Sequence, residues 1–150
     1  MEEVELKSGL RKVVLDTNVL VSGLLNSKGN PAAVLRLALT GAIQICYDKR
    51  ILAEYSDVLG RPRFKFDPMR VQEVLIKLSV DGLSFAPSNP VLDLPDPDDE
   101  PFLAVALAAS ADYLVTGSRA DYPPAKCRGI SVASPAEFVT LWRKLHLRDD

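Results

Sequence analysis

Three acidic residues stand where a folded chain places reactive groups. Asp16 ends the apolar run Val13-Val14-Leu15, and a second apolar stretch follows from Val19. A short apolar run of β-favouring residues reads as a buried strand. In open α/β sheets the crevice beyond the carboxyl ends of the strands is where ligands bind. Glu54 lies in the helix-like segment KRILAEYSDVL. It falls about 100° from the middle of the apolar stripe Ile51, Leu52, Tyr55, Val58 and Leu59, on the flank rather than the far side. Asp99 stands four residues before Leu103 and seven before Ala106, so it shares a face with the apolar stripe of its helix. Asp98 and Asp96 are close alternatives to it. Each acid also has an ordinary reading: a turn former for Asp16, a surface residue for Glu54, a helix cap for Asp99.

If these acids converge, their chemistry is restricted. Like charges at short range in a partly buried site cannot all stay ionised without compensation. A hard divalent cation, Mg²⁺ or Mn²⁺, provides it through oxygen ligands and retained waters. Such a site orients a water, lowers its pKa and neutralises charge on a phosphodiester. Hydrolysis of a nucleic-acid backbone is the natural reaction. His146 is the single histidine, and Cys46 and Cys127 fit no metal spacing, which argues against zinc and against Ser-His-Asp or Cys-His catalysis. Two such cysteines read as reduced thiols. There is no G-x-x-x-x-G-K-[ST] and no G-x-G-x-x-G, so the usual nucleotide-phosphate loops are absent.

The chain of 150 residues is 47% apolar and 25% charged, the composition of one globular domain. No apolar run approaches the roughly 20 residues of a membrane span. The first ten residues, MEEVELKSGL, lack the basic start and apolar centre of a signal peptide, and they read as a loose tail on a cytoplasmic protein. The net charge of −2 is not that of a typical nucleic-acid binder. A local basic excess does occur between Lys49 and Lys77, where Arg61, Arg63 and Lys65 surround the aromatic pair Phe64 and Phe66.

The elements that must position these residues are legible from caps and breakers. Strands are expected at Lys12–Leu15, Ile43–Tyr47, Leu83–Ala86, Tyr113–Thr116 and Ile130–Val132. Helices are expected at Asn18–Leu25, capped by Asn18, and from Pro31, capped by Asn30 and closed by Gly41. Further helices are expected at Lys49–Leu59 behind Asp48, from Pro68 to about Ser79 behind Asp67, from Asp98 or Asp99 to Ser110, and from the capping box Ser134-Pro135-Ala136-Glu137 to about Leu145. Pro87 to Pro97 and Gly117 to Arg128 read as irregular connections. Alternating strands and helices, with continuous apolar strands, predict an α/β fold with a mostly parallel sheet of about five strands covered on both faces. The domain is placed at residues 11–146, between tails at 1–10 and 147–150.

These stretches resemble a known family. VVLDTNVLVSGLL is similar to the opening strand of the PIN-domain nucleases with its first acid, on Asp16. ILAEYSDVL resembles the helix bearing the family's glutamate, on Glu54. DPDDEPFLAVALAASADYLVTG resembles the segment with the third acid, on Asp99, followed by a strand ending in Thr116. Within the family the chain resembles the toxins of type II toxin–antitoxin systems (VapC-like). The resemblance implies a three-layer α/β/α sandwich, one or two Mg²⁺ or Mn²⁺ ions, cleavage of single-stranded RNA, a homodimer, and a small antitoxin protein that blocks the site. It implies Asp16 and Asp99 as direct metal ligands, and Glu54 as a ligand through water or as the group that orients the attacking water. Asn18 and Thr116 hold the acids, and Ser118 completes the rim. The family's usual fourth acid falls on Ser118, a departure that bears on the second metal. Asp98 and Asp121 are alternative ligands. Two rivals remain: the same fold with a weakened site that binds RNA or protein without cutting, and a phosphotransfer domain using Asp16. Haloacid-dehalogenase-type phosphatases also begin with an apolar strand ending in Asp, but they need a second aspartate two residues later, where this chain has Asn18.

Overall fold

The computed structural model describes residues 11–86 and 89–147. The expected tail at 1–10, residues Pro87 and Ser88 of the proline-rich connection, and residues 148–150 lie outside them. In chain order the described residues form β1 (Lys12–Leu15), α1 (Thr17–Leu25), α2 (Asn30–Leu39), β2 (Gln44–Tyr47), α3 (Lys49–Leu59), α4 (Pro68–Asp81), β3 (Leu83–Ser84), α5 (Glu100–Ala109), β4 (Tyr113–Val115), β5 (Val132–Ala133) and α6 (Pro135–Leu147). α6 therefore reaches one residue into the segment read as a tail. No helix among the described residues is long and apolar enough to cross a membrane.

The five strands make one sheet in the order β3-β2-β1-β4-β5, and every neighbouring pair is parallel. This is the α/β arrangement expected. Val13, Val14 and Leu15 have no exposed surface, although successive strand residues point to opposite faces. Both faces of β1 are therefore covered, the environment that selects continuous apolar strands. α5 packs across β1, β2 and β4, while α1 packs on α2 and α2 on α6. Burying each such Leu or Val contributes about 1.5–3 kcal/mol before entropy is charged against it.

Local chemistry explains several boundaries. Asp48 starts α3 by accepting from the Ile51 N–H at 2.9 Å, and Asp67 starts α4 by accepting from the Met69 N–H at 3.1 Å ahead of Pro68. Ser134 and Glu137 close a reciprocal capping box, at 3.1 and 2.8 Å. Gly82 turns the chain from α4 into β3, where a Cβ would overlap the carbonyl oxygens of Ile45 and Leu78. Three local expectations need correction. α2 is preceded by Gly29, which has no side chain to cap it, and Asn30 is already its first helical residue. Asn18 lies inside α1 rather than capping it. The last strand is Val132–Ala133, not Ile130–Val132, because β4 pairs Leu114 with Val132 and Val115 with Ala133.

Candidate active site

β1 and β4 lie side by side at the middle of the sheet, with Leu15 opposite Val115. From β1 the chain adds β2 and β3 on one side, and β4 and β5 on the other. This is the switch point, where the carboxyl ends of the strands open a crevice. Asp16 and Thr116 are the first residues beyond these two strands.

Asp16 is 6% exposed, and its backbone N–H donates to the Val115 carbonyl at 3.0 Å. Its Oδ2 accepts two hydroxyls, Thr116 Oγ1 at 2.9 Å and Tyr122 Oη at 3.1 Å. Burial pushes its pKa above the ordinary carboxylate value. The Thr116 and Tyr122 hydroxyls and the N–H groups of Asn18 and Thr17 pull the other way, although the side chain closes no cap bond on α1. Thr116 Oγ1 in turn accepts from the Ser118 N–H at 3.0 Å, so its proton is directed to Asp16. Burial first, and then the charges of Asp16 and Asp99, hold Tyr122 far above a phenol's usual pKa, which keeps it a neutral donor. The buried Cys127 thiol secures its loop by donating to the carbonyls of Tyr122 (3.5 Å) and Pro123 (3.3 Å).

Glu54 comes to the same crevice on the flank of α3. The Thr17 hydroxyl donates to its Oε2 in a short hydrogen bond. Next to it Tyr55, fully buried, donates its hydroxyl to the Leu15 carbonyl at 2.5 Å. That bond ties α3 to the last residue of β1 and sets Glu54 beside Asp16. Burial raises the pKa of Glu54; the Thr17 hydrogen bond lowers it, the charges of Asp16 and Asp98 raise it, and Arg61 lowers it.

Asp99 occupies the position before α5 but makes no cap hydrogen bond, and its backbone is already helical (φ −86°, ψ −13°). The turn is served by Asp96 instead, whose side chain accepts from the Asp98 N–H at 2.9 Å. Glu100 turns back to the Leu94 N–H at 3.3 Å. The Asp99 carboxyl has no hydrogen-bond partner among the described residues. Burial lifts its pKa to about 7, followed by the charges of Asp16, Asp96, Asp121 and Glu54. Three acids from three separate elements thus share one electrostatic neighbourhood.

The other residues take different places. Asn18 Oδ1 accepts from the Gly117 N–H at 3.0 Å, joining α1 to the turn after β4, while its backbone N–H rather than its side chain serves Asp16. Asp98 is exposed and acts on Glu54 through its charge. Ser118 is exposed, and its side chain makes no hydrogen bond among the described residues. Asp121, three residues later, is half-buried, and its charge reaches Asp99 and Tyr122. The site also uses Thr17, Tyr55 and Tyr122, which the sequence did not single out. Tyr55 carried one signal: a tyrosine in a buried stripe must find a partner for its hydroxyl.

No three His, Cys, Asp or Glu side chains among the described residues stand close enough to hold a metal ion between them. The donors are nonetheless all oxygen; burial raises the pKa of each acid, and neighbouring acidic charges add to it at Glu54 and Asp99. That suits a hard dication which takes one or two carboxylates directly and keeps most of its waters.

Among curated proteins no match to the chain is found. A family model described as PIN domain matches residues 12–120. The match runs from β1 to the turn after β4, so Asp16, Glu54, Asp99, Thr116 and Ser118 fall within it, while Asp121 and Tyr122 lie just beyond. PIN domains are generally nucleases and typically use divalent metals. With most of its length inside that match, the chain belongs to the PIN-domain family.

Proposed function

We propose that this protein is a Mg²⁺- or Mn²⁺-dependent endoribonuclease that cleaves single-stranded RNA, and the toxin of a type II toxin–antitoxin pair. One observation carries the catalytic part: at the switch point of the sheet the charge of Asp16 raises the pKa of both Glu54 and Asp99, and Glu54 in turn raises that of Asp99. When bound, the dication offsets this crowding, polarises the phosphodiester and lowers the pKa of water. Asp16 and Asp99 would hold it directly. Thr116 and Tyr122 lock Asp16 in one orientation by occupying a single oxygen. Glu54 has one oxygen engaged by Thr17, which leaves the other to orient an attacking water. Its raised pKa suits it to accept the proton that water gives up. The toxin role, a small antitoxin over the site and a homodimer are supported by the likeness of VVLDTNVLVSGLL and DPDDEPFLAVALAASADYLVTG to such toxins.

A labelled single-stranded oligoribonucleotide, incubated with Mg²⁺ or with chelator, tests the reading. Cleavage is expected with metal alone, and Asp16→Asn is expected to lower it at least about 100-fold. That variant keeps an acceptor for both hydroxyls and sheds a buried charge, so its thermal stability should be unchanged or higher. Retained cleavage in Asp16→Asn would refute the assignment. A second reading, a weakened module that binds without cutting, draws on Ser118 at the fourth-acid position and on the open spacing of the acids. Mn²⁺ titration separates the two, since a weakened site shows no carboxylate-dependent binding.

A further inference from the structure

We propose that the loop Arg61–Phe66, leaving the end of α3, is a subsite for single-stranded nucleic acid beside the acids, with Arg63 and Phe64 as its contact residues. The proposal rests on the nuclease reading for the identity of the polyanion.

The loop is rooted in the helix that carries Glu54. The Arg61 N–H donates to the Val58 carbonyl at 3.2 Å, so the chain stays folded against the helix end. Seven residues separate Arg61 from Glu54, two helical turns and about 10 Å along the axis. Arg61 is near enough for its charge to favour ionised Glu54, while Asp57 holds its guanidinium at 3.1 Å. A strand whose scissile phosphate sits at the acids therefore has neighbouring nucleotides within reach of this loop.

The loop is built as a ledge. Pro62–Phe64 forms a 3₁₀ turn that ends at Lys65, whose φ is 55°. The rings of Phe64 and Phe66 stack with centroids 5.5 Å apart and planes 14° from parallel. The Arg63 guanidinium lies over the Phe64 ring, 4.8 Å from its centroid. A guanidinium resting on an aromatic face is ordered in advance and keeps its N–H donors available for phosphate oxygens. Arg63 and Lys65 are exposed, and neither meets a carboxylate among the described residues. By contrast Arg50, Lys77, Arg119 and Lys126 are each paired with an acid.

Charge and shape together favour a single strand. The chain carries a net charge of −2 and concentrates acids in the crevice, so a polyanion needs cations placed beside it. Aromatic and guanidinium faces engage bases that are unstacked, which a duplex does not offer.

Binding and cleavage of a labelled mixed-sequence oligoribonucleotide give the test, with binding measured in chelator so that no cutting occurs. Arg63→Ala is expected to weaken binding about 5- to 10-fold and to reduce the salt slope by about 0.7, one phosphate contact. Phe64→Leu, which keeps the apolar packing, should weaken binding to the single strand more than to the matching duplex. In the metal-loaded protein the loss should appear in KM rather than in kcat, with melting temperatures unchanged. Asp16→Asn should bind like the wild type and fail to cut. If Arg63→Ala and Phe64→Leu bind with wild-type affinity and salt slope while the wild type cleaves, the subsite is refuted and the nuclease reading stands. If the wild type binds through this loop but never cleaves with metal, the nuclease reading fails and the subsite stands. No binding by the wild type refutes the subsite outright.

Discussion

Replacing Asp99 by asparagine should make the metal-free protein more stable, and only at neutral and alkaline pH. The folded pKa of Asp99 is about 7, raised first by burial and then by Asp16, Asp96, Asp121 and Glu54. In the unfolded chain the group titrates near its ordinary value of 3.8. Between these values the folded protein holds a proton that the unfolded chain has released, so stability falls as pH rises through the window. At about 1.4 kcal/mol per pKa unit the shift sets a ceiling of about 4 kcal/mol. Asp99 is only half-buried, and solvent screening reduces this to about 1–2 kcal/mol. Asparagine carries no charge at any pH and loses no cap bond, because Asp99 makes none. Urea denaturation in chelator at pH 4 and pH 8 is the assay. The variant should match the wild type at pH 4 and exceed it by about 1–2 kcal/mol at pH 8, or about 2–8 °C in Tm. Excess Mg²⁺ should shrink the gap by stabilising the wild type. A variant no more stable than the wild type at pH 8 would refute the claim that these acids repel one another.

Two further substitutions probe the hydroxyls that hold the acids. Tyr122→Phe removes one of the two donors to Asp16 Oδ2, so the Asp16 pKa should rise further and the acid limb of the kcat/KM profile should move to higher pH. An unmoved limb would mean that Asp16 is not the group titrating there. Thr17→Val keeps the shape but strips Glu54 of its donor, and cleavage should fall about 10- to 100-fold with little loss of stability. Single-turnover rates and thermal melts on one preparation check both halves of that expectation.

Much of the scaffold was legible because local chemistry and tertiary structure agree in it. β1 is a run of buried residues, α3 begins at a working Asp48 cap, and Ser134 with Glu137 forms the expected box. Elsewhere tertiary pairing overrode local pattern. Ile130 is as β-favouring as its neighbours, but it follows Gly129 (φ 93°) and is held in a turn by Cys127, so pairing with β4 starts later. Asn18 looks like a cap, yet its amide is claimed by Gly117, distant in sequence. At the site, the acids could be found from their positions relative to strands and stripes. Their supports could not: Tyr122 lies in a proline-rich loop where nothing local marks it as a partner of Asp16. The freedom of Asp99 from capping follows from Asp96 taking that work, a choice among adjacent aspartates that spacing does not make.

The bond from Tyr55 to the Leu15 carbonyl has a consequence for how the molecule tolerates change. It lies behind the acids, in the core, and fixes the gap between the first two of them from within. The segment in front around residues 61–66 makes no hydrogen bond to either acid, so it can lengthen, shorten or exchange side chains without resetting that gap, whereas 117–128 is held to the site by the Tyr122 bond to Asp16. On the proposed reading, a new loop grafted at 61–66 alters the nucleic acid accepted and leaves the spacing of Asp16 and Glu54 intact, while any graft at 117–128 must keep its tyrosine.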